Sequence, residues 1–290
     1  MIFAENLPVG ADAAMRYLMA VFSEAGLDTP ALDARLLTLA AAQISHEAMI
    51  RDPEFELSPS QRRILESHAR RRLDCEPVSR ILGRREFRGL DFVITPHVLD
   101  PRADSEVLVE AGLGCMNADA RCRILDLGTG SGCLLVSFLA ALPRAHGVGV
   151  DLSPDALACA RDNAARNGVG ERARFACGNW YDALHETFDL VVANPPYINH
   201  GELSVLPRDV VGYDPLLALD GGADGLDAYR AILGDISRVL GKGGWLVMEI
   251  GLGQETALAA MMRGAGLGQI RTSRDLAGHI RVLKGKLPKN

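Results

Sequence analysis

From Arg121 onward, short β-type runs alternate with helical segments, and this alternation constrains the fold more than any other feature of the chain. RILDL, GVGVDL, ARFAC, FDLVVAN and GWLVMEI are the β-type runs. Helical spacing fills Cys133–Leu142 and Pro154–Asn167 between the first three, Leu226–Leu240 before the fifth and Gln254–Ala265 after it. Such alternation builds a parallel sheet with helices on both faces, an α/β architecture. Ligands of these sheets sit where the chain leaves the carboxyl ends of the strands.

The first eighty residues read differently. ADAAMRYLMAVFSEAG, TPALDARLLTLAAAQ and SPSQRRILESHARRRLD place apolar residues three and four apart, which predicts helices throughout. Thr29-Pro30 and Ser58-Pro59 mark two helix starts. EFRGLDFVIT then alternates, with Gly89 placed to turn a hairpin between the helical part and the α/β part.

Composition excludes several classes. Apolar residues make up 48% and charged residues 23% of 290, the ordinary globular mix, so disorder and fibrous architectures are not expected. The run Cys133–Pro143 is far shorter than the ~20 residues of a membrane span. No signal-peptide pattern opens the sequence, so no membrane association and a cytoplasmic location are expected. Six scattered cysteines (75, 115, 122, 133, 159, 177) form no C-x-x-C pair and no Cys/His cluster, which predicts reduced thiols and no metal.

A net charge of −6 argues against stable nucleic-acid binding by the whole surface. Nine arginines between Ser60 and Leu90, against four acids, make one basic stretch. It reads either as a solvated helix face or as a docking surface for an anionic partner.

Four motifs fall at strand ends. Asp126-Leu-Gly128-Thr129-Gly130-Ser131-Gly132 closes the first strand, and its alternate glycines let the backbone turn sharply against a ligand. The third glycine comes one residue earlier than in a dinucleotide loop, and an acid precedes the first. That favours a cationic sulfonium, as in S-adenosylmethionine, over a pyrophosphate; another nucleotide or a plain tight turn stays open. Asp151, 21 residues beyond Gly130, can accept both ribose hydroxyls of an adenosine, or only assist the helix that Ser153 and Pro154 begin. Asn179 or Trp180, after the third strand, is placed to lie against the adenine; core packing is the other reading of Trp180.

Asn194-Pro195-Pro196-Tyr197 ends the fourth run. Two prolines fix φ and remove donors, leaving carbonyls free to accept. The Asn194 oxygen adds an acceptor and Tyr197 a flat wall, which suits a planar NH2 group whose two N–H bonds need partners. Leaving such a group unpaired costs roughly 1–3 kcal/mol. A purely structural Pro-Pro turn is the alternative.

DLGTGSG, Asp151 and the NPPY tetrapeptide resemble class I S-adenosylmethionine-dependent methyltransferases acting on planar nitrogens. EPVSRILGRREFRGLDFVITPHVLDPRADSE and the C-terminal RDLAGHIR narrow the resemblance to the HemK/PrmC family, over essentially the whole chain. Within the PR-x-x-[ST]-E segment, Ala103 replaces a frequent proline and Ser105 a threonine, and Asp100 precedes it where an apolar residue is common.

The resemblance implies a Rossmann-like, mostly parallel seven-stranded sheet with a reversed last strand, plus a small N-terminal helical domain. It divides the chain into a substrate-recognition domain (1–82), a hairpin connector (83–100) and a methyltransferase domain (101–290). It implies methyl transfer from S-adenosylmethionine to the glutamine amide of the Gly-Gly-Gln motif in peptide chain release factors, with S-adenosylhomocysteine as product. The alternative is an amino-methyltransferase acting on an exocyclic base nitrogen of RNA or DNA. Catalytic roles then fall on Asn194, Pro195, Pro196 and Tyr197. Cofactor contacts fall on Asp126, Gly128, Thr129, Gly130, Ser131, Gly132, Asp151, Asn179, Trp180 and Asn194.

Overall fold

A computed structural model describes residues 7–119, 121–182 and 184–289. The chain forms two compact units that meet in sequence between Gly83 and Arg84.

The first unit is helical: α1 (Ala11–Glu24), α2 (Pro30–Ala42), α3 (His46–Arg51), α4 (Pro59–Leu73) and α5 (Val78–Leu82). Ser58 and Gln61 form a reciprocal capping box at the start of α4, with Pro59 at the first helical position. Thr29 precedes α2 but does not cap it; its hydroxyl donates to Asp33 instead. Leu18, Phe22, Leu37 and Leu65 are fully buried and form the core of this unit.

The arginine-rich stretch is largely spent on internal pairing. Arg72 donates to Asp33 across 2.7 Å, both side chains being buried, and Arg71 forks onto Glu76. Arg62 holds the Leu7 carbonyl, and Arg70 pairs with Glu66. In the second unit Arg88 reaches Glu110 and Arg85 reaches Asp100. Removing one partner of a buried ion pair costs about 3–5 kcal/mol, so reversing the charge at Arg72 would destabilise the unit and not report cleanly on docking.

The second unit opens with the hairpin β1 (Arg84–Phe87) and β2 (Leu90–Val93), turned at Arg88-Gly89 with both residues at positive φ. There follow α6 (Glu106–Leu113), β3 (Arg123–Leu127), α7 (Cys133–Ala141), β4 (His146–Asp151), α8 (Pro154–Arg166), β5 (Ala173–Cys177) and β6 (Phe188–Ala193). The chain continues with α9 (His200–Leu203), α10 (Arg208–Val211), α11 (Asp227–Gly234), β7 (Leu240–Glu249), α12 (Glu255–Gly264), β8 (Gly268–Arg274) and β9 (Ile280–Lys286).

The sheet order is β5-β4-β3-β6-β7-β9-β8, parallel except for β9, which is antiparallel to both neighbours. This is the expected seven-stranded sheet with its last strand reversed. Alternate residues feed two cores. Ile124, Leu190, Val192, Val247 and Val282 face the side of α6, α7 and α8. Leu125, Val191, Leu246, Met248 and Leu283 face the side of α11 and α12.

One expected element is corrected. The helix expected over Leu226–Leu240 stops at Gly234; a single 3-10 turn, Ile236–Arg238, follows, and Leu240 already belongs to β7. Gly234-Asp235 breaks the helix, Asp235 lying at φ −146°.

Connectivity locates the site. The chain steps outward through β3, β4 and β5, then returns to place β6 on the other side of β3. Helical connections therefore diverge between β3 and β6, the switch point at which such sheets bind ligands. Leu127 pairs with Ala193 there, and Ala193 pairs with Met248 of β7. The glycine loop, Asn194 and Glu249 thus leave adjacent strands side by side.

Candidate active site

A cleft opens at this edge of the sheet. Its empty volume is about 1070 Å³, open solvent at its mouth included. Of the residues expected in a site, Gly128, Thr129, Gly130, Ser131, Asp151, Asn179, Trp180, Asn194 and Pro196 line it together.

The loop after β3 works through its backbone. Gly128, Gly130 and Gly132 lie at φ +70°, +53° and +79°, the left-handed region that disfavours side chains. A Cβ on Gly130 would meet nothing within 4 Å, so the loop backbone there borders open space. The amides of Gly128 and Thr129 both donate to the Val150 carbonyl, stitching the loop to β4. Asn163 of α8 braces it from behind, donating to the Ser131 carbonyl at 2.9 Å.

Asp151 accepts from the Gly130 amide through one carboxylate oxygen and from the Ser153 amide through the other, each at 2.9 Å. Each oxygen keeps a further lone pair for a ligand hydroxyl. Ser153 caps α8 by accepting from Ala156, so the helix start does not depend on Asp151 alone. Trp180 is held at φ +51°, unusual for a large side chain, with its ring against Gly128.

Four expected residues stand behind the lining. Asp126 is fully buried and accepts from Thr129 Oγ1 at 2.7 Å; its other oxygen has no partner among the described residues. Burial pushes its carboxyl up to about 7. It lies under the loop, out of direct reach of the cleft, because the side-chain alternation of β3 points it to the α7 side. Gly132 begins α7 against Ala160. Pro195 is buried, and Tyr197 turns away to pack under Gly251 and donate to Glu249.

Several residues that shape the site were not expected in it from the sequence, although Asp100 and the PR-x-x-[ST]-E segment were noted as part of the family resemblance. Ser105 lines the cleft and accepts from Asn194 Nδ2 at 3.2 Å. Val98, Pro101 and Arg102 form one wall, and Pro215, Leu217 and Ala218 another. Buried Asp214 ties the two walls, accepting from the Asp100 amide at 3.1 Å and the Arg102 guanidinium at 2.6 Å. Asp100, in place of the common apolar residue, is itself buried and faces Arg85 at 3.9 Å. The one signal for Glu249 is an acid inside the otherwise apolar run GWLVMEI.

Fold and cleft define a methyltransferase: residues 103–208 match the methyltransferase small domain, and residues 13–83 match the PrmC N-terminal domain. The release factor glutamine methyltransferase of Caulobacter vibrioides is 43% identical over 90% of this chain and 91% of its own length. That of Bordetella pertussis is 38% identical over 94% of this chain and 100% of its own. The chain belongs to the release factor glutamine methyltransferase family. A methyltransferase from Pyrococcus furiosus shares the fold, with a TM-score of 0.51 at 16% identity over 69% of this chain and 90% of that one.

Proposed function

We propose that this chain transfers a methyl group from S-adenosylmethionine to the side-chain amide nitrogen of the Gly-Gly-Gln glutamine in peptide chain release factors. The observation that carries the reading is one cleft, lined by the glycine loop, Asp151 and Asn194, in a chain of this family. The residues fit the cofactor: bare loop backbone at Gly130, a carboxylate with spare lone pairs at Asp151, and an indole over Gly128. Gly128 to Ser131 would hold its amino-acid part, Asp151 its ribose, and Asn179 or Trp180 its adenine. When bound it supplies an electrophilic methyl group on a positively charged sulfur.

An amide nitrogen is a poor nucleophile because its lone pair is delocalised into the carbonyl. Asn194 Oδ1 and the Pro195 carbonyl accept its two N–H bonds, return electron density to nitrogen and hold the line of approach. Asn194 Nδ2 is already engaged by Ser105, which leaves Oδ1 for the substrate. Most of the acceleration then comes from positioning. We further propose that the helical domain, read as residues 1–82, recognises the body of the release factor.

The test offers purified release factor, RNA and DNA side by side with labelled cofactor. The expected result is one added methyl, by intact mass, on the release factor alone, lost when its motif glutamine is replaced. Label on nucleic acid instead would overturn the reading.

A further inference from the structure

Two groups beside the cleft touch no reacting atom in the proposed reaction: Ser105 and Glu249, each only 3% exposed. Ser105 ends the short turn Ala103–Ser105 and lines the cleft. Glu249 ends β7, beside the strand end that carries Asn194. Both are joined to the Asn-Pro-Pro-Tyr turn. Asn194 Nδ2 donates to Ser105 Oγ at 3.2 Å, and the Tyr197 hydroxyl donates to Glu249 Oε1 at 3.4 Å. Among the described residues nothing pairs with Glu249 Oε2, although it is cut off from solvent. The Ser105 side chain nonetheless favours the charged form of this carboxyl.

A hydroxyl that accepts from an N–H still has its own hydrogen to give. Ser105 influences the Glu249 carboxyl without a hydrogen bond to Oε2 in this structure, and that bare oxygen is the acceptor its hydrogen would take. We propose that Ser105 and Glu249 are positioning residues that fix which end of the Asn194 carboxamide faces the cleft; this rests on reading Asn194 as the acceptor of the substrate amide. A carboxylate can only accept, so it commits the Ser105 hydrogen to itself. Ser105 can then only accept from Asn194, which turns Nδ2 inward and Oδ1 toward the cleft. A protonated Glu249 is a donor and releases this constraint. Ser105 then gives its hydrogen to Oδ1, the amide turns over, and Nδ2 meets the N–H bonds of the substrate donor to donor.

The groups facing Glu249 are consistent with this polarity. Arg281 of β9 favours the carboxylate and is itself held by Asp104 at 3.1 Å and Asp275 at 2.9 Å. Asp104 opposes it, while the Tyr229 hydroxyl is engaged with the Glu249 carbonyl at 2.9 Å and the Cys133 thiol stays protonated. Burial outweighs these neighbours and lifts the carboxyl to about 7.

The experiment measures steady-state methyl transfer to a release factor, cofactor affinity by calorimetry, and melting temperature. Ser105→Ala is expected to lower kcat about 100-fold, the cost of a misplaced reacting group, with cofactor affinity unchanged. Ser105→Thr keeps the hydroxyl and restores the rate. In an Asn194→Ala background, Ser105→Ala costs nothing more, because the group it orients is gone. The wild-type kcat rises with pH through about 7, and Glu249→Gln removes that rise. A wild-type rate in Ser105→Ala, no rescue by threonine in a folded protein, or additive losses in the double variant would each overturn the proposal. A wild-type enzyme that transfers no methyl to the release factor would sink the reading beneath it instead.

Discussion

The loop after β3 and the turn after β6 leave neighbouring strands of one sheet and are built by opposite means. The first is glycine-rich, with three positive-φ positions, and its side chains matter less than the path of its backbone. The second is Asn-Pro-Pro-Tyr, with φ fixed by proline, and its Asn194 and Tyr197 side chains are tied to Ser105 and Glu249. A ligand contacted by backbone needs close approach, which glycine permits. A small planar group that must be oriented needs fixed acceptors, which only braced side chains and locked carbonyls provide. Substitutions in the loop should therefore weaken cofactor binding, and those in the turn should slow the reaction.

Asn194→Ala tests the second half of that division and carries the largest expected effect. Removing one of two acceptors should lower kcat by about 100- to 1000-fold, comparable to loss of one preorganised hydrogen-bonding group in an active site. Cofactor affinity, measured by calorimetry, should change by no more than about threefold. Equal losses in both would make Asn194 chiefly a cofactor residue and erase the contrast between loop and turn.

Asp151→Ala tests the first half. Hydrogen bonds to a charged group are worth about 1.5–3 kcal/mol, so cofactor affinity should fall roughly 10- to 100-fold. The turnover of cofactor-saturated enzyme should stay within about threefold of wild type. A collapse in kcat at saturation would mean that the carboxylate also shapes the reacting geometry.

The same contrast explains what was legible in the sequence. β3, β4, β6 and β7 are buried on both faces, so each reads as a short apolar run. β8 alternates between half-buried and exposed residues, GQIRTSR, and has no such run; it came only from the family resemblance. α3 and α5 are six and five residues long, too short for helical periodicity to register. At the site, the glycines, Asp151 and Asn194 carry local signatures because each acts where its own strand ends. Ser105, Asp214 and Glu249 act on groups far away in sequence, Ser105 on Asn194 across 89 positions. No local pattern announces a pairing of that kind; the sheet order creates it.

The smallest expected effect sharpens the account of the loop itself. Gly130 and Gly132 share positive φ but differ in what surrounds them. A Cβ on Gly130 meets nothing within 4 Å, and the Gly130 amide that donates to Asp151 would survive the change. Gly130→Ala therefore carries only the left-handed backbone cost of about 1–2 kcal/mol, and with it a cofactor affinity roughly 5- to 30-fold weaker if the strain is relieved when the loop opens. A Cβ on Gly132 would sit 3.1 Å from Ala160 Cβ and 3.2 Å from its Cα, so Gly132→Ala adds a clash between α7 and α8 to the same strain. Gly132→Ala should lower the melting temperature more than Gly130→Ala, with Asn163 of α8 drawn off the Ser131 carbonyl. Equal melting temperatures would mean that α8 yields to the extra methyl, and that the glycine at 132 is required by backbone angle alone.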